Sequence, residues 1–438
     1  MMKKNVYEAY VRILNEELVM AMGCTEPIAV AYAASIAAKV LGELPRKVEI
    51  YVSGNIIKNV KSVIVPNTNG MQGLQAAASA GIIAGDPTKK LLVISKVSLQ
   101  QQNHIQKYMS EAEFFIREAM SDELFDIDIR LSGKVHQSAC RITGKHTNVI
   151  SVEKDGVEQL TYSVKMKQDN REEENKKILG DRGLLEVEQI VNFANEVALE
   201  EVQDVLQRQI DCNMAIAKEG MEKEYGARIG KILLNSYGKD IHTRAKAMAA
   251  AGSDARMNGC ELPVVINSGS GNQGITASVP VIVYAEDMGV DKERLYRALV
   301  ISNLVTIHLK SGIGSLSAYC GATSAGCGAG AGICYIQGGQ LKEIAHTIVN
   351  GLAINSGMIC DGAKASCAAK IASSVEAGLL GMYMYKNGSQ FRGGDGILAK
   401  GVEKTIHNIN ILAREGMRKT DDEIIKIMLS HSYLENKL

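Results

Sequence analysis

The sequence contains no tryptophan and few aromatic residues of any kind. Phe, Tyr and Trp together make up 5% of its 438 residues, whereas glycine occurs 42 times. With few large rings to fill the interior, burial must come from small side chains that let backbones approach each other closely. We therefore expect tight helix packing through glycine and alanine.

The chain also lacks net charge and long apolar runs. Forty-nine Lys and Arg residues balance forty-nine Asp and Glu residues, so no overall field favours nucleic acid or an anionic membrane. No uninterrupted apolar run reaches the roughly 20 residues that span a bilayer, and acidic residues appear early, at Glu8, Glu16 and Glu17. We expect a cytoplasmic protein whose partners are small molecules or a second copy of itself, in a homodimer.

Nine cysteines occur without a recognisable signal peptide. Cytosolic thiols stay reduced, so a disulfide framework is not expected. Each cysteine is therefore left to ligate a metal, to take part in catalysis or to pack in the core.

The first part of the sequence mixes helical and strand patterns. Apolar residues at helical spacing predict helices over residues 4–22 and 28–41. Alternating or continuous apolar runs predict strands, which we place at residues 47–52, 91–94, 126–131, 140–143 and 148–152.

The second part reads as helical throughout, with glycine-rich turns between the helices. A charged stretch over residues 165–177 contains one apolar residue and is typical of a solvated linker. The predicted fold class is α+β, with a mixed α/β domain over residues 1–180 and an all-helical domain over residues 181–438.

Three cysteines stand out because distant segments carry them. Cys24 lies in Gly-Cys-Thr-Glu-Pro, where Gly23 ends one helical pattern and Pro27 suits the first turn of the next. Cys24 is thus expected at a helix N-terminus, which stabilises a thiolate. Far downstream, Cys320 and Cys360 lie in nearly uncharged sequence rich in glycine and alanine.

Neither downstream segment has the Cys-x-x-Cys spacing of a zinc ribbon or a bacterial ferredoxin, so the fold would have to assemble a shared site. Three protein thiolates on a four-iron, four-sulfur cluster would leave one iron open as a Lewis acid. The alternative is that these cysteines only pack in buried helices. Cys367, on the same segment as Cys360, is the alternate ligand, and the remaining cysteines are expected to pack, namely Cys140, Cys212, Cys260, Cys327 and Cys334.

Other polar groups are candidates for binding and proton transfer. The glycine-rich stretch from Ser268 to Gly274 could bind a carboxylate through its amides and hydroxyls, or it could be a simple turn between helices. Its candidate substrate residues are Ser268, Ser270 and Asn272. The candidate catalytic residues are His136, His146 and Lys310. Either histidine could be a base, although a lone histidine is more often structural. Lys310 and Lys364 border the two cysteine segments, where they could pair with a carboxylate or lie at exposed helix ends.

Taken together, the Gly23 to Ala29, Ser268 to Gly274 and Gly357 to Ala363 stretches resemble the L-cysteine desulfidase family over nearly the whole chain. The helical half is similar to the catalytic domain of iron–sulfur L-serine dehydratases. In those enzymes a Lys, a Ser-rich stretch and a Cys precede a Gly/Ala helix, and a Cys-Asp pair follows later. The matching positions here are Lys310, Ser315, Ser317, Cys320, Cys360 and Asp361.

The resemblance implies a 4Fe-4S cluster, no pyridoxal phosphate, and β-elimination from a small amino-acid substrate. The products would be sulfide, pyruvate and ammonia. It implies cluster ligation by Cys24, Cys320 and Cys360.

Three other functions remain open at this point. An iron–sulfur L-serine dehydratase would keep the cluster and expel water in place of sulfide. A pyridoxal phosphate enzyme would use the 268–274 loop for phosphate and Lys310 or Lys364 for the Schiff base, but no lysine lies in a recognisable cofactor motif. A cluster-bearing redox sensor would need a signalling or nucleic-acid-binding element, and no basic helix suggests one.

Overall fold

The computed structural model describes residues 2–159, 180–314 and 316–435, with side chains as far as residue 428. In the described part of the chain, the strands form two sheets. Six of them make one mixed sheet in the order β3-β2-β4-β5-β6-β7, in which β2 runs parallel to β3 and the other neighbours are antiparallel. The strands are β1 (Met20–Met22), β2 (Lys47–Val52), β3 (Glu113–Glu118), β4 (Asp126–Ser132), β5 (Gln137–Thr143), β6 (Val149–Lys154), β7 (Val157–Glu158) and β8 (Pro263–Val265).

Helices account for most of the remaining described residues. Those before the sheet or between its strands are α1 (Lys4–Glu17), α2 (Thr25–Leu41), α3 (Gly54–Val60), α4 (Gly73–Ala84) and α5 (Leu99–Glu111). Those after residue 180 are α6 (Val187–Glu196), α7 (Gln203–Glu222), α8 (Ile229–Tyr237), α9 (Ile241–Met257), α10 (Gly271–Met288), α11 (Lys292–Ser311), α12 (Gly321–Ile336), α13 (Leu341–Asn355), α14 (Cys367–Lys386), α15 (Val402–Ile411) and α16 (Arg418–Glu435).

One face of the six-stranded sheet is buried beneath α2. Strand β2 alternates half-buried residues with Val48, Ile50 and Val52, which are fully buried. This period of two places every second side chain on the same face. Helix α2 packs on β4, β5 and β6 and on α4. Since it is covered on both sides, α2 is apolar around most of its circumference.

Helix α12 is the centre of the helical part. Every residue after Gly321 is buried in it, and α10, α11, α13 and α14 pack around it. Its glycines allow these close approaches. Gly326 lies against the backbone of Ser374 and Gly330 against that of Gly378, both on α14. The expected packing through small residues is therefore confirmed, and Cys327 and Cys334 are buried in this core.

The predicted α+β class is confirmed, with the large sheet before residue 160 and mainly helices after residue 180. Strand β2 has the predicted bounds, and the three later predicted strands match β4, β5 and β6. The strand predicted at residues 91–94 is wrong, because Pro87–Leu92 forms a 3₁₀ helix capped by the Asp86 side chain.

Two smaller differences from the prediction are a shorter first helix and a pair of short strands. The first helix stops at Glu17, and Met20–Met22 forms strand β1, which pairs antiparallel with β8. The helical part thus also contributes one short strand.

The domain boundary at residue 180 stays a prediction, and the charged stretch at 165–177 lies outside the described residues. Across that boundary β1 pairs with β8, and Tyr10 packs edge-on against Phe193 with ring centroids 5.3 Å apart. The two parts therefore share one hydrophobic core. Among the described helices, none is both long and apolar enough to cross a membrane.

Replacing Gly326 with alanine tests the central helix packing. The added Cβ would overlap the Ser374 carbonyl oxygen, so α12 and α14 must separate, at a cost of about 1–3 kcal/mol. The matched control is Gly252→Ala on α9, where the new methyl would meet an Ile275 side-chain carbon at 3.2 Å. Denaturant unfolding measures both variants. Equal stability of Gly326→Ala and wild type would show that α12 does not depend on this close approach.

Candidate active site

One cavity gathers cysteines from both parts of the chain. It has a volume of about 100 Å³, and Cys24, Cys320, Cys360 and Cys367 all line it. The fold therefore brings the three predicted ligands and the alternate ligand to one place, although Cys24 is far from the others in sequence.

Four helices begin at this cavity. Cys24, Cys320 and Ser270 occupy the N-cap positions of α2, α12 and α10, without side-chain capping hydrogen bonds, while Cys367 is the first residue of α14. The positive end of the helix dipole lies at each N-terminus. At α14 the first two amides are already hydrogen-bonded, to the Lys364 and Ala365 carbonyls. Such ends favour bound anions, so their convergence gives the cavity a preference for negative charge.

Backbone hydrogen bonds join the Cys320 and Cys360 segments. The Cys320 N–H donates to the Met358 carbonyl at 2.9 Å, and the Cys360 N–H donates to the Ala318 carbonyl at 2.6 Å. A hydrogen bond from the Cys320 thiol, with help from the Lys58 charge, lowers the pKa of Cys360 to about 6, while the pKa of Cys320 is raised. Of this pair, Cys360 is the more acidic thiol.

The other two thiols are protonated in this arrangement. The Cys24 thiol donates to the Glu26 carboxylate at 3.0 Å, and burial followed by the Glu26 charge raises the pKa of Cys24. The Cys367 thiol points to the Gly362 carbonyl at 3.7 Å, and burial raises the pKa of Cys367 as well. A metal binding to either sulfur would have to displace a proton.

Four basic side chains line the same cavity. Lys58 is 3% exposed and pairs with Asp421 of α16, and Lys370 pairs with Asp361 at 2.5 Å. The other two are Lys310 and Arg256, and neither has an ion pair within the described ranges. Burial lowers the pKa of Lys310 to about 8.

The glycine-rich stretch forms a tight turn that leads into α10. Asn267 and Ser270 exchange two backbone hydrogen bonds of 3.0 and 3.1 Å. Ser270 and Asn272 line the cysteine cavity. Ser268 instead donates its hydroxyl to Asn267 Oδ1 at 2.8 Å and lines a neighbouring cavity. Two of the three predicted substrate residues therefore face the cysteines.

The neighbouring cavity has a volume of about 350 Å³, and Lys310 lies in the wall of both. His146 lines this second cavity beside Gly269, with its ring edge-on to Phe125 at a centroid distance of 4.7 Å. Burial lowers the pKa of His146, and its Nε2 has no hydrogen-bond partner within the described ranges.

Other candidates from the sequence lie elsewhere or are already paired. His136 pairs with Asp155 at 2.7 Å and lines neither cavity. Lys364 pairs with Asp361 at 2.9 Å. Ser317 lines the cysteine cavity, and its hydroxyl accepts from the Tyr319 N–H at 3.0 Å. Ser315 lies outside the described residues.

The potential donors of this cavity are cysteine thiols, the residue type that holds iron–sulfur clusters. Across residues 2–159, 180–314 and 316–435, no group of three or more His, Cys, Asp or Glu side chains is arranged to hold one ion. Thiolates that bind different irons of one cluster need not converge on a single point. Soft sulfur donors beside positive helix ends and basic side chains fit an anionic iron–sulfur group.

Four further residues line the cavity and were not predicted from the sequence: Arg256, Lys58, Gln273 and Lys370. A signal existed for Arg256. It lies in the segment Ala249-Ala250-Ala251-Gly252-Ser253-Asp254-Ala255-Arg256, and a charge inside a run of small residues is typical of a buried site. Lys58 had no comparable signal, because its partner Asp421 lies far away in sequence.

The match to a family model shows which protein family the chain belongs to. Residues 88–426 match the model described as serine dehydratase alpha chain.

The chain belongs to the serine dehydratase alpha-chain family.

Relatives in this family extend the likeness over nearly the full length. The chain is 55% identical to a UPF0597 protein of Desulfitobacterium hafniense, over 97% of each chain. It is 47% identical to one of Lachnoclostridium phytofermentans, over 97% of this chain and 100% of the relative. It is also 42% identical to one of Treponema denticola, over 97% and 99%.

Membership of the serine dehydratase alpha-chain family confirms the broader resemblance seen in the sequence and indicates a lyase-type enzyme. The matched range contains Cys320, Cys360 and Cys367, and it begins after Cys24. The comparison with the family model therefore bears on the three downstream thiols, and the role of Cys24 depends on its place in the cavity.

The Lys58–Asp421 pair gives a prediction about stability. Replacing Asp421 with Asn leaves a buried lysine without its counter-charge, which costs about 3–5 kcal/mol. The control is Glu423→Gln on the same helix, since its 2.6 Å pair with Lys426 is exposed and such pairs contribute little. Denaturant unfolding should show a large loss for Asp421→Asn and no measurable change for the control. Equal stability of the two variants would contradict a structural role for the buried pair.

Proposed function

We propose that the protein is an iron–sulfur lyase that eliminates sulfide from L-cysteine and gives pyruvate and ammonia. The observation that carries the proposal is that four thiols line one cavity. The N-termini of four helices also meet at this cavity. Membership of a family named for serine dehydratase supports β-elimination as the reaction class. L-cysteine as the substrate comes from the sequence resemblance.

Cys24, Cys320 and Cys360 would hold a 4Fe-4S cluster, with Cys367 as the alternate to Cys24. When bound, the cluster would supply an iron without a protein ligand, a Lewis acid suited to a carboxylate or a thiol leaving group. The positive helix ends and the neighbouring Lys58 and Lys370 would offset the negative charge of its thiolates.

The elimination removes the α-proton of L-cysteine and breaks its Cβ–S bond. The electron pair of the Cα–H bond forms the Cα=Cβ bond, and sulfur leaves with its own bonding pair as sulfide. The resulting 2-aminoacrylate takes up water and releases ammonia to give pyruvate.

Lys310 is the side chain that we assign as proton acceptor. It lies in the wall between the two cavities, it is buried, and it has no ion pair among the described residues. A pKa of about 8 places a useful fraction of its Nζ in the neutral form near physiological pH. His146 faces the larger cavity, on the far side of Gly269, and is the second candidate. His136 is not assigned a role, because it lines neither cavity.

L-serine dehydratase activity is the second candidate function. The description of the matching family model favours it directly, and the same side chains would serve either leaving group. Ser270 and Asn272, at the N-terminus of α10, would contact the amino acid in both cases.

The ligand assignment predicts the iron content of single variants. After anaerobic reconstitution, wild type should hold ~4 iron atoms per chain, and Cys24→Ala, Cys320→Ala and Cys360→Ala should each lose most of them. Cys367→Ala should load normally. Cys212→Ala is the control, because this half-exposed thiol lines neither cavity. Full loading of Cys24→Ala together with loss in Cys367→Ala would transfer the third ligand position to Cys367.

The product assay separates the candidate functions. We expect the reconstituted protein to release sulfide and pyruvate from L-cysteine in equal amounts, with a higher kcat/KM than for pyruvate formation from L-serine. Higher kcat/KM with L-serine would make the protein a serine dehydratase. A protein that binds iron fully but turns over neither amino acid would support the sensor in place of a lyase.

A further inference from the structure

Arg256 is the most unusual charged residue in the cavity. It lies near the end of α9 and is 2% exposed. Its Nε is buried without a hydrogen-bond partner, and no carboxylate within the described ranges forms a salt bridge with it. An unpaired buried guanidinium is costly, because it loses its hydration and gains no counter-charge in return.

Two of the other three basic residues of the cavity show the usual solution to this cost. Lys58 pairs with Asp421, and Lys370 pairs with Asp361. Arginine is also better suited than lysine to hold a carboxylate, because its planar group donates two parallel hydrogen bonds. A carboxylate that binds from solution would therefore supply Arg256 with the counter-charge and the hydrogen-bond acceptors that it lacks.

Arg256 lies directly beside the N-terminus of α10. An added Cβ at Gly271 would overlap Arg256 Nε, so glycine at this position is what allows the guanidinium to approach the helix end. Ser270, Asn272 and Gln273 line the same side of the cavity. The N-terminus of α10 and the guanidinium thus create a positive potential in the same part of the cavity.

Two acceptor atoms from residues of the same cavity also lack partners in the described part of the chain. They are Asn272 Oδ1 and Gln273 Oε1, and both are buried. Gln273 as a whole is 6% exposed. Acceptors of this kind match the N–H groups of an ammonium, just as the guanidinium matches a carboxylate. One cavity thus contains residues with a donor group for a carboxylate and residues with acceptors for an ammonium, the two charged groups of an amino-acid backbone.

We propose that Arg256 binds the α-carboxylate of a zwitterionic amino acid and that Asn272 and Gln273 accept hydrogen bonds from its α-ammonium. The inference rests on the proposed function, in which an amino acid is the substrate of this cavity. It adds a charged residue that selects free α-amino acids over derivatives whose carboxylate is blocked.

A competing role for Arg256 is to offset the charge of cysteine thiolates, since its charge also acts on Cys24 and Cys367. The two roles differ in what is lost when the charge is removed. A carboxylate anchor controls amino-acid affinity, whereas a counter-charge for thiolates controls iron binding.

The experiment compares Arg256→Gln and Arg256→Lys with wild type, all anaerobically reconstituted. Three quantities are measured: iron per chain, KM and kcat for L-cysteine, and the dissociation constants of L-alanine and L-alaninamide by calorimetry. L-alanine has no β leaving group, so its binding does not depend on turnover, and the amide lacks the carboxylate. Arg244→Gln is the matched control, because Arg244 lies on the same helix, is half-exposed and pairs with Asp287.

We expect wild type to bind L-alanine more tightly than L-alaninamide. Arg256→Gln should keep its iron, bind L-alanine about 10- to 100-fold more weakly, as expected for a lost hydrogen bond to a charged group, and raise KM by a similar factor. Its affinity for L-alaninamide should hardly change. Arg256→Lys should recover part of the L-alanine affinity, which also shows that the site is folded.

Two results would overturn the inference. One is an unchanged preference for L-alanine over its amide in both Arg256 variants. The other is loss of iron in Arg256→Gln with an unchanged KM in the loaded fraction, which would assign Arg256 to the thiolates. If wild type neither binds iron nor eliminates sulfide or water, the proposed function fails, and an Arg256-dependent preference for L-alanine would then still support the inference.

Discussion

The N-termini of four helices meet at one small cavity, and this concentration of positive potential is the constraint on which the rest of the site depends. Each helix brings a positive dipole end, and Lys58, Lys310, Lys370 and Arg256 add formal charges. Repulsion among these groups has to be offset by negative charge, either from thiolates and bound anions or from acidic side chains. Cys24, Cys320 and Cys367 lie at or near three of these helix starts, but their pKa values are raised. The positive helix ends would therefore stabilise their thiolates once a metal had displaced the protons.

Such a convergence is possible only if the helices pack very closely. Helix α12 begins at the cavity and runs through the centre of the helical part, where Gly326 and Gly330 let α14 come within backbone contact. Two large side chains facing each other there would push the helices, and with them Cys320 and Cys367, apart. The scarcity of aromatic residues and the abundance of glycine thus have a consequence at the cavity. Small residues in the core let the helices pack closely, and this packing sets the distances between the residues of the site.

Local patterns predicted the elements that depend on neighbouring residues. Gly23 and Pro27 placed Cys24 at a helix start, and alternation gave strand β2 its observed bounds. The run at residues 91–94 misled because apolar continuity does not separate a strand from a short helical turn, and the Asp86 cap with Pro87 decided the outcome. Lys58 and Arg256 were missed because their roles come from tertiary neighbours, and no spacing along the chain records those. The domain boundary and the assignment of ligands stay predictions.

The basic residues of the cavity divide into two groups according to what compensates their charge. Lys58 and Lys370 have carboxylate partners within the protein, so their cost of burial is already met and their positions are fixed. Lys310 and Arg256 have no ion pair in the described part of the chain. For Lys310 the cost of burial is reduced by a lowered pKa, because a lysine can lose its proton. The neutral amine that results is the form that can accept a proton from a substrate. Arginine cannot do the same. A buried guanidinium without a partner is stabilised when an anion binds to it and neutralises its charge. For this reason Arg256 indicates a bound carboxylate more directly than any other residue of the site.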